Sequence, residues 1–135
     1  LDVMGFCEAL QWQVEKFMNN TDIKCELNIE PEGIKLDPEL STDLFRIFQE
    51  GLTNISRHSE ATNVMIDFVE TTNDYELCVQ DDGVGIHSSR INHTNSLGLL
   101  GMRERALIWN GHVKIKGIVG EGTLLKVNIP KVNND

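Results

Sequence analysis

The 135-residue chain is short of cysteine, of basic residues and of long apolar runs, and each shortage removes a class of protein. Its three cysteines, Cys7, Cys25 and Cys78, are scattered, odd in number and without a C-x-x-C pair. They argue against a disulfide framework or a zinc cluster and for a reducing compartment, so the expected location of this domain is cytoplasmic. Lys and Arg number 12 against 21 Asp and Glu, a formal net charge of −9. A nucleic-acid module or an anionic membrane surface needs a basic face, and neither is expected as a partner. The charge leaves nucleotides open, because a divalent cation can stand between carboxylates and phosphates. No apolar run approaches the ~18 residues that cross a bilayer. The four histidines, His58, His87, His93 and His112, show no H-E-x-x-H spacing. There is no G-x-x-x-x-G-K-[ST] phosphate loop. A G-x-G-x-x-G reading from Gly83 fails at Ser88, and its two preceding acids would repel a pyrophosphate.

What remains is an ordinary globular composition, 40% hydrophobic and 24% charged, over a length that suits one domain spanning residues 1–135. Phe6, Leu10, Val14 and Phe17 predict a helix from about Val3 to Met18. Ile23, Cys25, Leu27 and Ile29 alternate with polar residues and predict a half-buried strand. Asp37-Pro38-Glu39 is a helix start, with Asp able to cap and Pro suited to the first helical position. That helix should run to about His58 on a core stripe of Leu40, Leu44, Ile47, Phe48, Leu52 and Ile55. Gly51 interrupts it at a cost of ~1 kcal/mol relative to Ala, which suggests that another backbone or a ligand comes close. Asn63–Glu70 and Tyr75–Gln80 read as a hairpin. His87 to Leu97 is polar and aperiodic, a surface loop. Leu99, Met102, Ala106 and Trp109 mark a helix stopping at Asn110-Gly111, followed by strands through Val113 and Ile115 and through Leu125, Val127 and Ile129. The expected fold class is α+β, a sandwich of strand hairpins with helices able to cover one face.

Four segments carry candidate chemistry. In Asp81-Asp82-Gly83-Val84-Gly85-Ile86, strand phase from Tyr75, Leu77 and Val79 turns Asp81 inward and Asp82 outward. A buried carboxylate requires donors, and an adenine amine is one; Gly83 and Gly85 let something flat approach the backbone. The same residues also suit a tight turn with a satisfied aspartate. Gly98-Leu99-Leu100-Gly101-Met102-Arg103-Glu104-Arg105 opens a helix, where free N–H groups favour anions, although plain close packing explains its glycines as well. Glu50, Asn54 and Arg57 or His58 form one helical stripe able to hold a hard cation and then a phosphate, or simply a solvated polar face. In Gly120-Glu121-Gly122-Thr123, Thr123 points inward and could reach the base held by Asp81, or is only a strand residue after a turn.

Together and in this order, the segments resemble the ATP-binding domain of sensor histidine kinases, within the gyrase–Hsp90–histidine kinase–MutL ATPase superfamily. Gln49 to Ser59, QEGLTNISRHS, resembles the N box; Asp81 to Gly85 resembles the first glycine box; Gly98 to Arg105, GLLGMRER, is similar to the second, in the form seen in nitrate sensors and the lipid-fluidity sensor of bacilli. Gly122-Thr123 matches the final G-T element. The resemblance implies a Bergerat-type fold, a two-layer α/β sandwich whose mixed sheet is covered on one face by helices, that binds ATP and Mg²⁺. Asp81 would bind the adenine amine and Thr123 would assist at the base. Gly83, Gly85, Gly98, Leu99 and Gly101 would shape the pocket and lid. Asn54 would bind Mg²⁺, and Arg57 or His58 would face phosphate. Glu50 matches the water-activating acid of hydrolysing relatives, and here it would order Mg²⁺ or polarise the acceptor. The implied partners are the phosphoacceptor and dimerisation helices of a parent kinase, and through them a response regulator. The phosphoacceptor histidine would lie upstream of Leu1, so this chain would bind ATP without being a complete kinase, whether or not the parent is membrane-anchored. An anti-sigma-type serine kinase, a related ATPase and a nucleotide-binding module without transfer activity are the alternatives.

Overall fold

A computed structural model describes residues 5–58, 60–85 and 98–131, with only the backbone of His58. The expected loop from His87 to Leu97 and the start of the chain lie outside the described residues. Within them, helix α1 (Phe6–Asn20) is followed by strand β1 (Lys24–Glu30), helix α2 (Pro38–His58), strands β2 (Asn63–Glu70) and β3 (Asp74–Asp81), helix α3 (Leu99–Leu107), and strands β4 (His112–Ile118) and β5 (Gly122–Pro130).

The local chemistry accounts for the boundaries. Asp37 caps α2, its Oδ1 accepting the N–H groups of Glu39 at 2.8 Å and Leu40 at 3.4 Å. All six residues of the expected α2 stripe are buried. At the other end of the fold α3 stops at Leu107, earlier than the Asn110-Gly111 signal implied. Asn110 takes the left-handed conformation, at φ 59°, and Gly111 N–H reaches back to Ala106 O at 2.8 Å. Trp109 falls just beyond the helix and donates its Nε1–H to Asp43 Oδ2 at 2.8 Å, tying the end of α3 to the start of α2.

The strands form one sheet in the order β1-β2-β3-β5-β4. β1 and β2 are parallel, with α2 in the crossover that a parallel pair requires, and the remaining pairs are antiparallel. The sheet is therefore mixed, as expected. Alternation sends one set of side chains toward the helices. Phe68, Leu77, Val127 and Val113 make one inward row, and Ile66, Val79, Leu125 and Ile115 make the next. Against them pack Phe6, Leu10, Phe48 and Leu52 from the helices, all buried. The other face is open: Met65 is 46% exposed, Lys114 and Lys116 are exposed, and Lys126 pairs with Glu76 at 2.6 Å. No described helix is long and apolar enough to cross a membrane.

Candidate functional site

The third inward row breaks the apolar pattern. It consists of Val64, Asp81, Thr123 and Gly117, set by the same registers that place the two apolar rows beside it. Asp81 is 4% exposed and Thr123 7%. A carboxylate and a hydroxyl so placed need partners, since desolvation without them is costly. Asp81 Oδ1 accepts Gly83 N–H at 2.8 Å. Burial pushes the Asp81 carboxyl above the usual range, against the opposing pull of the Gly83 and Thr123 backbone N–H groups. Among the described residues Thr123 Oγ1 has no hydrogen-bond partner.

Above this row α2 leaves a gap. Gly51, Asn54 and Ile55 from α2 meet Val79, Asp81, Ile115, Thr123 and Leu125 from the sheet around a cavity of about 20 Å³. That space suits about one water molecule. A purine enters it only with displacement of the lining side chains. Gly51 is what keeps the gap open on the helix side: a Cβ there would stand 2.7 Å from Leu125 Cδ2. Asn54 is buried and faces the same cavity. Glu50, one turn earlier, is half-buried and turns instead toward α3, where its carboxylate lies against Gly98. Gly98 has φ +64°, and any Cβ on it would overlap Glu50. The two box segments that the sequence placed 48 residues apart thus meet at this pair.

The loop after Asp81 is held by its neighbours. Gly85 has φ +80° and lies against the carbonyl of Ile118, a contact that only a residue without Cβ permits. Gly120 N–H donates to Val84 O at 2.6 Å, so the β4–β5 turn clasps the loop. Asp82 points outward and is exposed. Its carboxylate accepts the backbone N–H and side-chain donors of both Thr62 and Asn63, each at 2.9 Å, which hold its carboxyl well below the usual range. This clamp on the entry to β2 was not legible in the sequence, where Asp82 was only the residue facing away.

The cavity thus brings together Asn54, Asp81 and Thr123, with Gly83 bonded to Asp81. Glu50 and Gly98 stand beside it, in contact with each other. Leu99 is buried in the core rather than in the cavity wall. Gly101 lies under the Arg105 side chain, whose Nη1 is 3.3 Å from where a Cβ would be. Arg57 is exposed near the end of α2 and does not line the cavity, and the side chain of His58 lies outside the description. Among the described residues no cluster of His, Cys, Asp and Glu could by itself hold a metal. Burial raises the thiols of all three cysteines, that of Cys25 to about 11, so they are poor nucleophiles at neutral pH.

A mixed sheet with helices on one face and an inward carboxylate beneath a helical glycine defines a two-layer α/β sandwich with a polar cavity between its layers. The chain belongs to the family described as histidine kinase-, DNA gyrase B- and HSP90-like ATPase, which matches residues 39–133. It is similar to the sensor histidine kinase ComP of Bacillus subtilis, 32% identical over 127 residues, and to the signal transduction histidine-protein kinase/phosphatase DegS of the same organism, 30% identical over 136. Those matches cover 93% and 96% of this chain but only 16% and 35% of the relatives' lengths. Among solved structures, the Acinetobacter baumannii histidine kinase AdeS aligns with a TM-score of 0.77 at 16% identity, over 96% of this chain and 66% of that one. A histidine kinase domain from the Erythrobacter litoralis EL346 blue-light activated kinase aligns at 0.74 and 18%, over 94% and 61%. At such identities the structures speak for the fold, which is the expected sandwich; the family membership carries the ATP-binding role.

Proposed function

We propose that this chain is the ATP-binding catalytic part of a sensor histidine kinase, acting on a histidine carried by a separate helical segment. The observation that carries the reading is the polar inward row. Asp81 offers a buried acceptor and Thr123 an unpartnered hydroxyl to one cavity, and a family that binds ATP supplies a ligand with both a ring amine and ring acceptors. Asp81 takes the adenine amine, Thr123 serves the base, and Gly83 and Gly85 let the ring approach the backbone. Asn54 supplies an amide oxygen for Mg²⁺, a hard cation suited to oxygen ligands. Glu50, one turn earlier, is the second such ligand or, on its outer side, the acceptor of an imidazole ring N–H. Gly98 and Gly101 adjoin the phosphates, with Arg57 or His58 on the approach from the end of α2. Bound ATP supplies the γ-phosphoryl group. The residues of this chain orient it and exclude water, and an imidazole acceptor needs no water-activating base.

The test is a titration of this chain with ATP in Mg²⁺ and in EDTA, followed by the fate of γ-labelled ATP in the full-length protein. Binding strengthened by Mg²⁺ and an acid-labile, base-stable label support the reading. Acid-stable label on serine overturns it in favour of a serine kinase. Phosphate release without labelled protein overturns it in favour of an ATPase with Glu50 as the base.

A further inference from the structure

The broad groove between α1, α2 and α3 carries a charge opposite to that of the chain. Its volume is about 740 Å³, and its described lining includes Lys16 from α1, Arg46 from α2 and Arg105 from α3 against, among the described residues, a single carboxylate, that of Glu50. A chain of net charge −9 has thus gathered three of its 12 basic residues in one depression. Among the described residues none of the three has a carboxylate within ion-pair distance. Lys16 instead rests over the Trp12 ring at 5.0 Å, and Arg105 crosses Gly101.

The shape is that of a seat for a helix. The floor is the seam of two packed helices, with buried Phe17 and Leu52 beneath and Gln49 Nε2 donating to Gln13 Oε1 across it at 3.4 Å. On α2 the lining runs from Arg46 to Ser56, ~15 Å at 1.5 Å per residue, or close to three turns of an occupant. The three cations stand on three different elements. Glu50 belongs both to this groove and to the contact with Gly98 beside the nucleotide cavity, so the groove adjoins the site.

We propose that the groove seats the acidic face of the helix that carries the phosphoryl acceptor, with carboxylates of that helix paired to Lys16, Arg46 and Arg105 and the acceptor side chain over Glu50. The proposal rests on the phosphotransfer reading above for the identity of the acceptor. Lys16 and Arg46 are exposed, so their reversal leaves the core intact.

The experiment uses the full-length protein that contains this chain, with Lys16→Glu and Arg46→Glu combined, at saturating Mg-ATP. Binding of a fluorescent ATP analogue is expected to stay within about twofold of wild type, while the initial rate of phosphohistidine formation falls roughly tenfold or more. The wild-type rate is expected to drop toward that of the variant in about 1 M salt, where the Debye length is ~3 Å. The pair Lys16→Arg and Arg46→Lys should retain the wild-type rate. Equal rates for the reversed variant and wild type at low salt overturn the groove assignment alone. An equal loss in the charge-conserving pair overturns it too, since shape rather than charge then governs the rate. A wild-type protein that binds ATP and never forms phosphohistidine overturns the transfer reading before the groove is altered.

Discussion

Asp81 and Asp82 are consecutive carboxylates with opposite thermodynamics. Burial raises the Asp81 pKa in the folded state, so its ionisation opposes folding; that penalty grows as pH rises from the ordinary Asp range through the raised value. Asp81→Asn should therefore leave the ligand-free protein at least as stable at neutral pH. It should also weaken ATP binding by ~5- to 150-fold, the 1–3 kcal/mol of a mispaired buried polar group. Urea midpoints and isothermal titration on the same preparation check both halves, and unchanged affinity in a folded variant would remove Asp81 from the adenine. For Asp82 the sign reverses. Its four donors lower its pKa in the folded state, so its contribution is present above about pH 4, the unfolded value, and is lost as pH falls below it. Asp82→Asn is expected to be less stable than wild type at pH 7, with the gap closing in acid. A gap that stays constant from pH 7 to about pH 2 would show that the Thr62–Asn63 clamp does not depend on the charge.

At the scale of the element, α2 does two jobs with one turn of helix. Its buried stripe crosses the sheet, and the adjoining stripe presents Glu50, Gly51 and Asn54 at the edge of the core. Gly51 weakens the helix by ~1 kcal/mol and in return leaves the cavity its roof. If Asn54 supplies an oxygen to Mg²⁺, Asn54→Ala should reduce ATP affinity ~10-fold in Mg²⁺ and scarcely at all in EDTA. Equal losses in both buffers would assign Asn54 to the cavity wall. A thermal melt of the variant separates this from unfolding, because Asn54 is buried.

On the scale of the whole molecule, the sheet has one covered and one open face, and the candidate site belongs to the covered one. Of the four histidines only His112 has a described side chain. It is exposed at the start of the edge strand β4, in phase with Lys114 and Lys116 and out of phase with inward Val113. It thus lies on the face away from the cavity. On the reading that the acceptor histidine lies on a separate segment, this chain alone, given Mg-ATP, is expected to form almost no phosphohistidine. Supplied with the separate acceptor segment of its own protein, it should label that segment slowly, because a tether normally provides an effective concentration on the order of millimolar. Label that accumulates on the isolated chain would place the acceptor within it.

Much of this was legible from neighbours along the chain. The 3.6-residue stripe of α2, the cap at Asp37, and the two-residue period that turns Asp81 inward and Asp82 outward are properties of backbone geometry over a few residues. The Glu50–Asn54 stripe follows from the same period. Local periodicity says which side of an element a residue takes and nothing about what it will face. Only the sheet order, with β5 between β3 and β4, put Thr123 beside Asp81. Only the packing of α2 over that row set Gly51 and Asn54 across from them, brought Glu50 against Gly98, left Arg57 exposed, and made a groove of Lys16, Arg46 and Arg105. Those placements were decided by the burial of whole rows of apolar side chains from residues far apart in the chain, a free energy that exists only once the layers close.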